Sequence, residues 1–134
     1  MASVRKQVHL SAPPERVWDA VRDFGALHER LVPGFVVDTR LEDGVRVVTF
    51  GSGTVQREPL VDRDDDLRRL VYTAVDSPLG ATHYNASVQV FPDGDGTRLE
   101  WVVDVLPDGL RGLLDRAMDA GAAAMRAALD GQPS

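Results

Sequence analysis

The sequence predicts a single α+β domain: a curved, seven-stranded antiparallel sheet with a long C-terminal helix against one face and two short helices after the first strand. Three observations carry this expectation. Six strand-like segments follow one another between residues 35 and 106, joined by turns too short for parallel crossovers. Residues 110–129 hold one apolar stripe at helical spacing. The chain is 134 residues long, which suits one domain and leaves little room for two, so residues 1–134 are read as one unit.

The elements follow in order. Residues 4–10 put Val4, Val8 and Leu10 on one face of a strand, with Lys6 as the exception. Ser11-Ala12-Pro13-Pro14-Glu15 reads as a helix start with Ser11 or Ala12 as the cap, because proline is tolerated in a first turn. Val17, Val21 and Phe24, with Trp18 beside them, form the buried stripe, and Gly25 ends the helix. Residues 26–31 form a second short helix ended by Pro33-Gly34.

The pattern then changes to strands at 35–41, 45–50, 54–62, 67–75, 82–91 and 97–106. Asp43-Gly44 supplies the positive φ values of a tight hairpin turn. Pro59 implies an edge position or a bulge. Pro107-Asp108-Gly109 closes the sheet, with Asp108 as cap of the last helix. On that helix Leu110, Leu114, Met118, Gly121, Met125 and Ala128 share the stripe, while Arg111, Asp115, Asp119 and Arg126 cover the other side. Residues 131–134 form a tail. A strongly curved sheet gripping one helix leaves space between them, and the small Ala117, Gly121 and Ala122 would enlarge it.

Composition narrows the function. With 43% hydrophobic and 27% charged residues, a domain this size buries roughly two-thirds of its unfolded surface. The absence of cysteine excludes a disulfide scaffold, a thiol nucleophile and Cys-ligated zinc or iron–sulfur sites. Fifteen basic against 21 acidic residues give a net charge of −6, which argues against nucleic acid or an anionic membrane as partner. No apolar run is long enough for stable membrane insertion, and no apolar segment follows Arg5-Lys6 to make a secretory signal, so a cytoplasmic protein is expected.

Strand parity then nominates side chains. Leu99, Trp101, Val103 and Val105 share one face; so do Leu70, Tyr72 and Ala74, and Tyr84, Ala86, Val88 and Val90. Arg46 lies with Val48 and Phe50, and Glu58 with Gln56 and Leu60. Arg46 and Glu58 are either an ion pair inside a cavity that orients a ligand's polar group, or a cross-strand pair at the rim or on the convex surface. Tyr72, Tyr84 and Trp101 either line the pocket or pack the core, and Met118 and Met125 suit an adaptable lining or core filling. The candidate ligand-binding set is Phe35, Arg46, Val48, Phe50, Glu58, Tyr72, Tyr84, Val88, Trp101, Val103, Leu110, Leu114, Met118 and Met125.

His9, His28 and His83 lack ligand spacing, so no metal is expected; His28, near the expected mouth, is the one histidine to watch as an acid or base. The acidic run 62–66 lacks the spacing of a calcium loop and reads as a solvated turn. Gly51-Ser52-Gly53-Thr54 joins two strands and opens no helix, which disfavours a phosphate loop, and no strand–Ser–helix elbow exists. No cofactor is expected.

Several local patterns, in order, resemble a known family. They are Pro14-Glu15-Arg16-Val17-Trp18 with Asp23-Phe24-Gly25 and Pro33-Gly34; Gly44-Val45-Arg46 leading to Gly53-Thr54-Val55-Gln56-Arg57-Glu58-Pro59-Leu60; Arg69-Leu70-Val71-Tyr72; Ser77-Pro78-Leu79 with Tyr84; and Gly94-Asp95-Gly96-Thr97-Arg98-Leu99-Glu100-Trp101. Together they resemble the START-like, or SRPBCC, superfamily of polyketide cyclase/dehydrase-like proteins and birch-pollen-allergen-type domains. The resemblance implies the helix-grip fold and a small hydrophobic or amphipathic ligand (lipid, isoprenoid or polyketide-like) carried or sensed in the central cavity. It also implies two alternatives. One is an aromatic polyketide cyclase/dehydrase, with Arg46 stabilising an enolate and Glu58 or Tyr84 moving protons. The other is a protein-interaction module, whose partner the sequence does not name. Members of this branch often carry Trp just before the Pro after the short helices. Here Val32 precedes Pro33, which implies a mouth of different shape or polarity.

Overall fold

The computed structural model describes residues 1–130; the expected tail at 131–134 lies outside the described residues. The order is β1 (Ala2–Leu10), α1 (Pro14–Arg22), a 3-10 turn (Phe24–Ala26), a π-type turn (Leu27–Leu31), β2 (Val36–Glu42), β3 (Val45–Phe50), β4 (Val55–Asp64), β5 (Arg69–Thr73), β6 (His83–Asp93), β7 (Gly96–Leu106), a second 3-10 turn (Asp108–Leu110) and α2 (Arg111–Asp130). The strands form one antiparallel sheet in the order β1-β7-β6-β5-β4-β3-β2. This is the helix-grip architecture: the sheet wraps α2, and α1 with its two turns closes one end.

Alternation places the core. Thr97, Leu99, Trp101, Val103 and Val105 of β7 are buried, as are Tyr84, Ala86, Val88 and Val90 of β6 and Ala2, Val4, Val8 and Leu10 of β1. Leu114, Met118, Gly121, Ala122, Met125, Ala128 and Leu129 are the buried face of α2. Among the described residues no helix is long and apolar enough to cross a membrane. The Asp43-Gly44 turn has the expected positive φ angles, 50° and 78°.

Two local expectations, both helix caps, are corrected, and the alternatives at Pro59 are resolved. Neither Ser11 nor Ala12 caps α1; Pro13 occupies the cap position without a side-chain bond. The two backbone N–H groups of Ser11 and Ala12 donate instead to Asp130 Oδ1 at the end of α2, at 2.9 and 3.3 Å. Asp108 does not cap the last helix either, because a 3-10 turn intervenes and its carboxylate lies 2.8 Å from the N-terminal amine. Of the edge and the bulge that Pro59 implies, the bulge is the one present, since β4 lies between β3 and β5. It follows the proline, where the register with β5 slips by one residue between Leu60 and Asp62. In the acidic turn, Asp65 Oδ1 accepts bonds from Trp18 Nε1 and Arg22 Nε, both at 2.9 Å, so this carboxylate ties α1 to the β4–β5 corner.

Lys6, the exception on β1, faces α2. Its Nζ lies 2.6 Å from Asp115 Oδ1 and 2.8 Å from Asp119 Oδ1. Hydrogen bonds to Asp115 and then Asp119 hold its pKa above the ordinary lysine value, against the opposing effect of burial. A group whose folded pKa is raised stabilises fully below its unfolded pKa and loses that effect as pH rises through the folded value. Lys6→Met should therefore unfold at lower urea than wild type at pH 7, and the gap should close as pH climbs beyond about 10.4. A gap unchanged at high pH would contradict the clamp.

Candidate functional site: a cavity with one polar end

Between the concave face of the sheet and α2 lies a cavity of about 470 Å³, a volume suited to a compact organic ligand. Val48, Phe50, Leu70, Val88 and Trp101 line it from the sheet, and Leu114, Ala117, Met118 and Met125 from α2. Leu27, Leu31, Val32 and Phe35 close it from the turns after α1. Exposed Gly34, Gly51, Ser52, Thr54 and Pro78 belong to its rim. Val32, the residue just before Pro33, is part of this lining.

The polar end is built by register. Arg46 on β3 sits directly opposite Glu58 on β4, and both point inward. They are 3% and 4% exposed, which places the pair inside the cavity wall and not on the rim or convex surface. Arg46 Nε and Nη2 both donate to Glu58 Oε1, at 2.9 and 2.7 Å. Gln56, two residues earlier on the same face, donates through Nε2 to Glu58 Oε2 at 2.7 Å. Ser77 Oγ in turn donates to Gln56 Oε1 at 3.5 Å. The guanidinium carbon lies 4.1 Å from the Phe24 ring centroid and 4.9 Å from that of Tyr72, so aromatic faces cover the cation.

Two phenols complete this end. Trp101 Nε1 donates to the Tyr72 hydroxyl oxygen at 3.3 Å, leaving the Tyr72 proton available for another acceptor. Burial, reinforced by the charge of Glu58, pushes the Tyr72 pKa far up, with Arg46 and the Trp101 bond opposing. Burial does the same to Tyr84, reinforced by Tyr72 and Glu58 and opposed by a hydrogen bond with Gln56 and by Arg46. Both phenols are therefore protonated hydrogen-bond donors at neutral pH, and neither is a base.

Most of the nominated residues meet here: Phe35, Arg46, Val48, Phe50, Glu58, Tyr72, Tyr84, Val88, Trp101, Leu114, Met118 and Met125 all line the cavity. Val103 and Leu110 do not. Val103 is on the inward face of β7 but is consumed in core packing at 0% exposure. Parity gives a face, not a depth along the strand. Leu110 falls in the 3-10 turn before α2, off the helical stripe. Gly121 does not enlarge the space. A Cβ there would stand 2.8 Å from the Trp101 ring, so the glycine admits the indole. His28 is not in the lining; its Nε2 lies 3.3 Å from Glu29 Oε1. Phe24, Leu27, Leu31 and Ser77 were not nominated. Gln56, Leu70 and Ala117 also lie outside that set but carry sequence signals: the i−2 spacing of Gln56 from Glu58, the face Leu70 shares with Tyr72, and the small side chain of Ala117 on the last helix.

The pair has a measurable energetic signature. Glu58→Ala leaves a buried, unpaired guanidinium and should cost about 3–5 kcal/mol. Arg46→Met with Glu58→Leu removes both charges and should be much closer to wild type in urea denaturation. A single variant costing as little as the double would contradict the buried pairing.

Comparison with known proteins agrees with this geometry. The family model described as polyketide cyclase / dehydrase and lipid transport matches residues 1–131. A protein from Thermobifida fusca, solved by NMR, is 32% identical over 96% of this chain and 91% of its own, with a TM-score of 0.79. The protein XoxI from Bacillus cereus is 22% identical, covers 96% of both chains and superposes with a TM-score of 0.86. A START superfamily protein from Mycobacterium smegmatis is 18% identical over 96% of this chain and 97% of its own, with a TM-score of 0.78. No curated protein matches the sequence. With a matching family model over nearly its whole length and a cavity between sheet and helix, the chain belongs to the polyketide cyclase / dehydrase and lipid transport family.

Proposed function

We propose that this domain binds a small hydrophobic or amphipathic molecule (a lipid, an isoprenoid or a polyketide-like compound) between the sheet and α2, as a carrier or sensor. The observation that supports it is the composition of the cavity: aliphatic, aromatic and methionine walls with polar groups gathered at one end. An apolar wall supplies affinity through area removed from water, and a few fixed hydrogen-bonding groups supply orientation. Met118 and Met125 allow the wall to adapt to more than one ligand shape.

A second reading is favoured by one specific observation, the convergence of Arg46, Glu58, Tyr72 and Tyr84 inside the cavity. Those groups suit a cyclase/dehydrase-type enzyme in which a donor polarises a ketone oxygen and a carboxylate takes a proton. The tyrosines fit the donor role. Glu58 already accepts three bonds, leaving about one of its four lone-pair sites for a substrate proton. Binding is thus better served than turnover. An interaction module would need a collapsed cavity, which a volume of about 470 Å³ does not support.

Native mass spectrometry of the purified protein, with denaturing extraction, tests the proposal. A co-purifying or added amphiphile should appear at one per chain and change the tryptophan fluorescence of a Trp18→Phe variant, in which Trp101 is the remaining indole. Tyr84→Phe should weaken that binding by roughly fivefold, the effect of one lost hydrogen bond of about 1 kcal/mol. If no amphiphile is retained and Trp101 fluorescence is unmoved across a lipid, isoprenoid and aromatic panel, the proposal fails. Turnover of a poly-β-ketone analogue that is abolished in Arg46→Met would select the enzyme reading instead.

A further inference from the structure

We propose that the cavity selects neutral amphiphiles whose polar end is an oxygen acceptor, such as a ketone, ester or alcohol, and rejects those ending in a carboxylate. This rests on the ligand-binding reading above and gives it a chemical class.

Among the described residues lining the cavity, Arg46 and Glu58 are the only charged ones, and they cancel. An arginine inside an apolar pocket would ordinarily mark a carboxylate site, because its planar fork binds two anionic oxygens side by side. Here the Nε–Nη2 edge is committed to Glu58 Oε1, the Phe24 and Tyr72 rings lie against the guanidinium, and the charge behind its remaining Nη1–Nη2 edge is already balanced by Glu58. Glu58 cannot readily swing aside, because Gln56 holds its second oxygen. A ligand carboxylate entering this end would therefore be desolvated beside an existing carboxylate, with the cation already neutralised.

The phenols report the same field. Removing a proton from Tyr72 or Tyr84 would create an anion at this spot, and burial and the charge of Glu58 oppose it, only partly offset by Arg46 and by the hydrogen bonds of Trp101 to Tyr72 and of Gln56 to Tyr84. What disfavours a phenolate disfavours a ligand anion. Neutral oxygen acceptors meet the opposite situation, since protonated phenols are ready donors and require no counter-charge. The net charge of −6 on the whole chain acts in the same direction at longer range.

The test compares matched pairs at pH 8: 1-decanol with decanoate, and 2-acetylnaphthalene with 2-naphthoate, with affinities read by calorimetry. The neutral member should bind, and its anionic partner should be weaker by roughly tenfold or more. Anions that bind as tightly as their neutral partners would overturn the selectivity and leave the ligand-binding reading standing. Failure of every member to bind would overturn that reading, and the selectivity with it. Glu58→Gln, shown to be folded by circular dichroism, unmasks Arg46 and should strengthen decanoate binding by roughly tenfold with little change for 1-decanol. Unaltered selectivity in that folded variant would overturn the role given to the ion pair. Should the variant not fold, the wild-type comparison decides the selectivity alone.

Discussion

Trp101 projects from β7 onto α2 at Gly121, where any side chain would collide with the indole. Helix and sheet thus meet through an aromatic ring, which holds the helix off the sheet instead of letting the two close together. Met118 and Met125, one turn to either side of that glycine, face the space left open. Lys6 with Asp115 and Asp119 fixes the N-terminal half of α2 to β1, and Asp130 fixes its end to the Ser11–Ala12 segment. The helix cannot settle into the cavity without breaking these ties. The same indole donates to Tyr72, so the residue that sets the spacing also orients the polar end.

That polar end is costly to build. Taking an arginine and a glutamate out of water is repaid only if their geometry and remaining hydrogen bonds are good, and an apolar replacement is often as stable. The structure meets the condition through direct cross-strand pairing, a glutamine on the second carboxylate oxygen and two rings over the cation. A group of this kind, facing a cavity whose other walls are apolar, is difficult to explain by stability alone. The proposed orientation of a ligand would give it a purpose. On that proposal, its internal neutrality sets which ligands it can orient.

Much of the fold was legible because sheet and helix have different periods. The alternation in β6 and β7 and the stripe on α2 match the buried faces nearly throughout. The ends of α1 and α2 were misread because their partners are distant in sequence: Asp130 takes the amides of Ser11 and Ala12, and the N-terminal amine takes Asp108. Arg46 could be assigned to a face but not to the inside. In β3 both Val47 and Val48 are buried, on opposite faces, so neither face declares itself as the solvent side. Gly121 looked like added room because only the tertiary contact shows what fills it. Val103 and Leu110 show the same limit from the other direction, since an inward face includes core as well as cavity.

The central claim is that the cavity is a binding site oriented by its polar end. The most direct measurement is a crystal structure with 11-bromo-1-undecanol, using bromine anomalous scattering to locate the chain. The account expects the bromine inside the cavity and the hydroxyl within hydrogen-bonding distance of Tyr72 or Tyr84. A bromine peak only on the outer surface, with the cavity empty or closed by a shift of α2 toward the sheet, would contradict it.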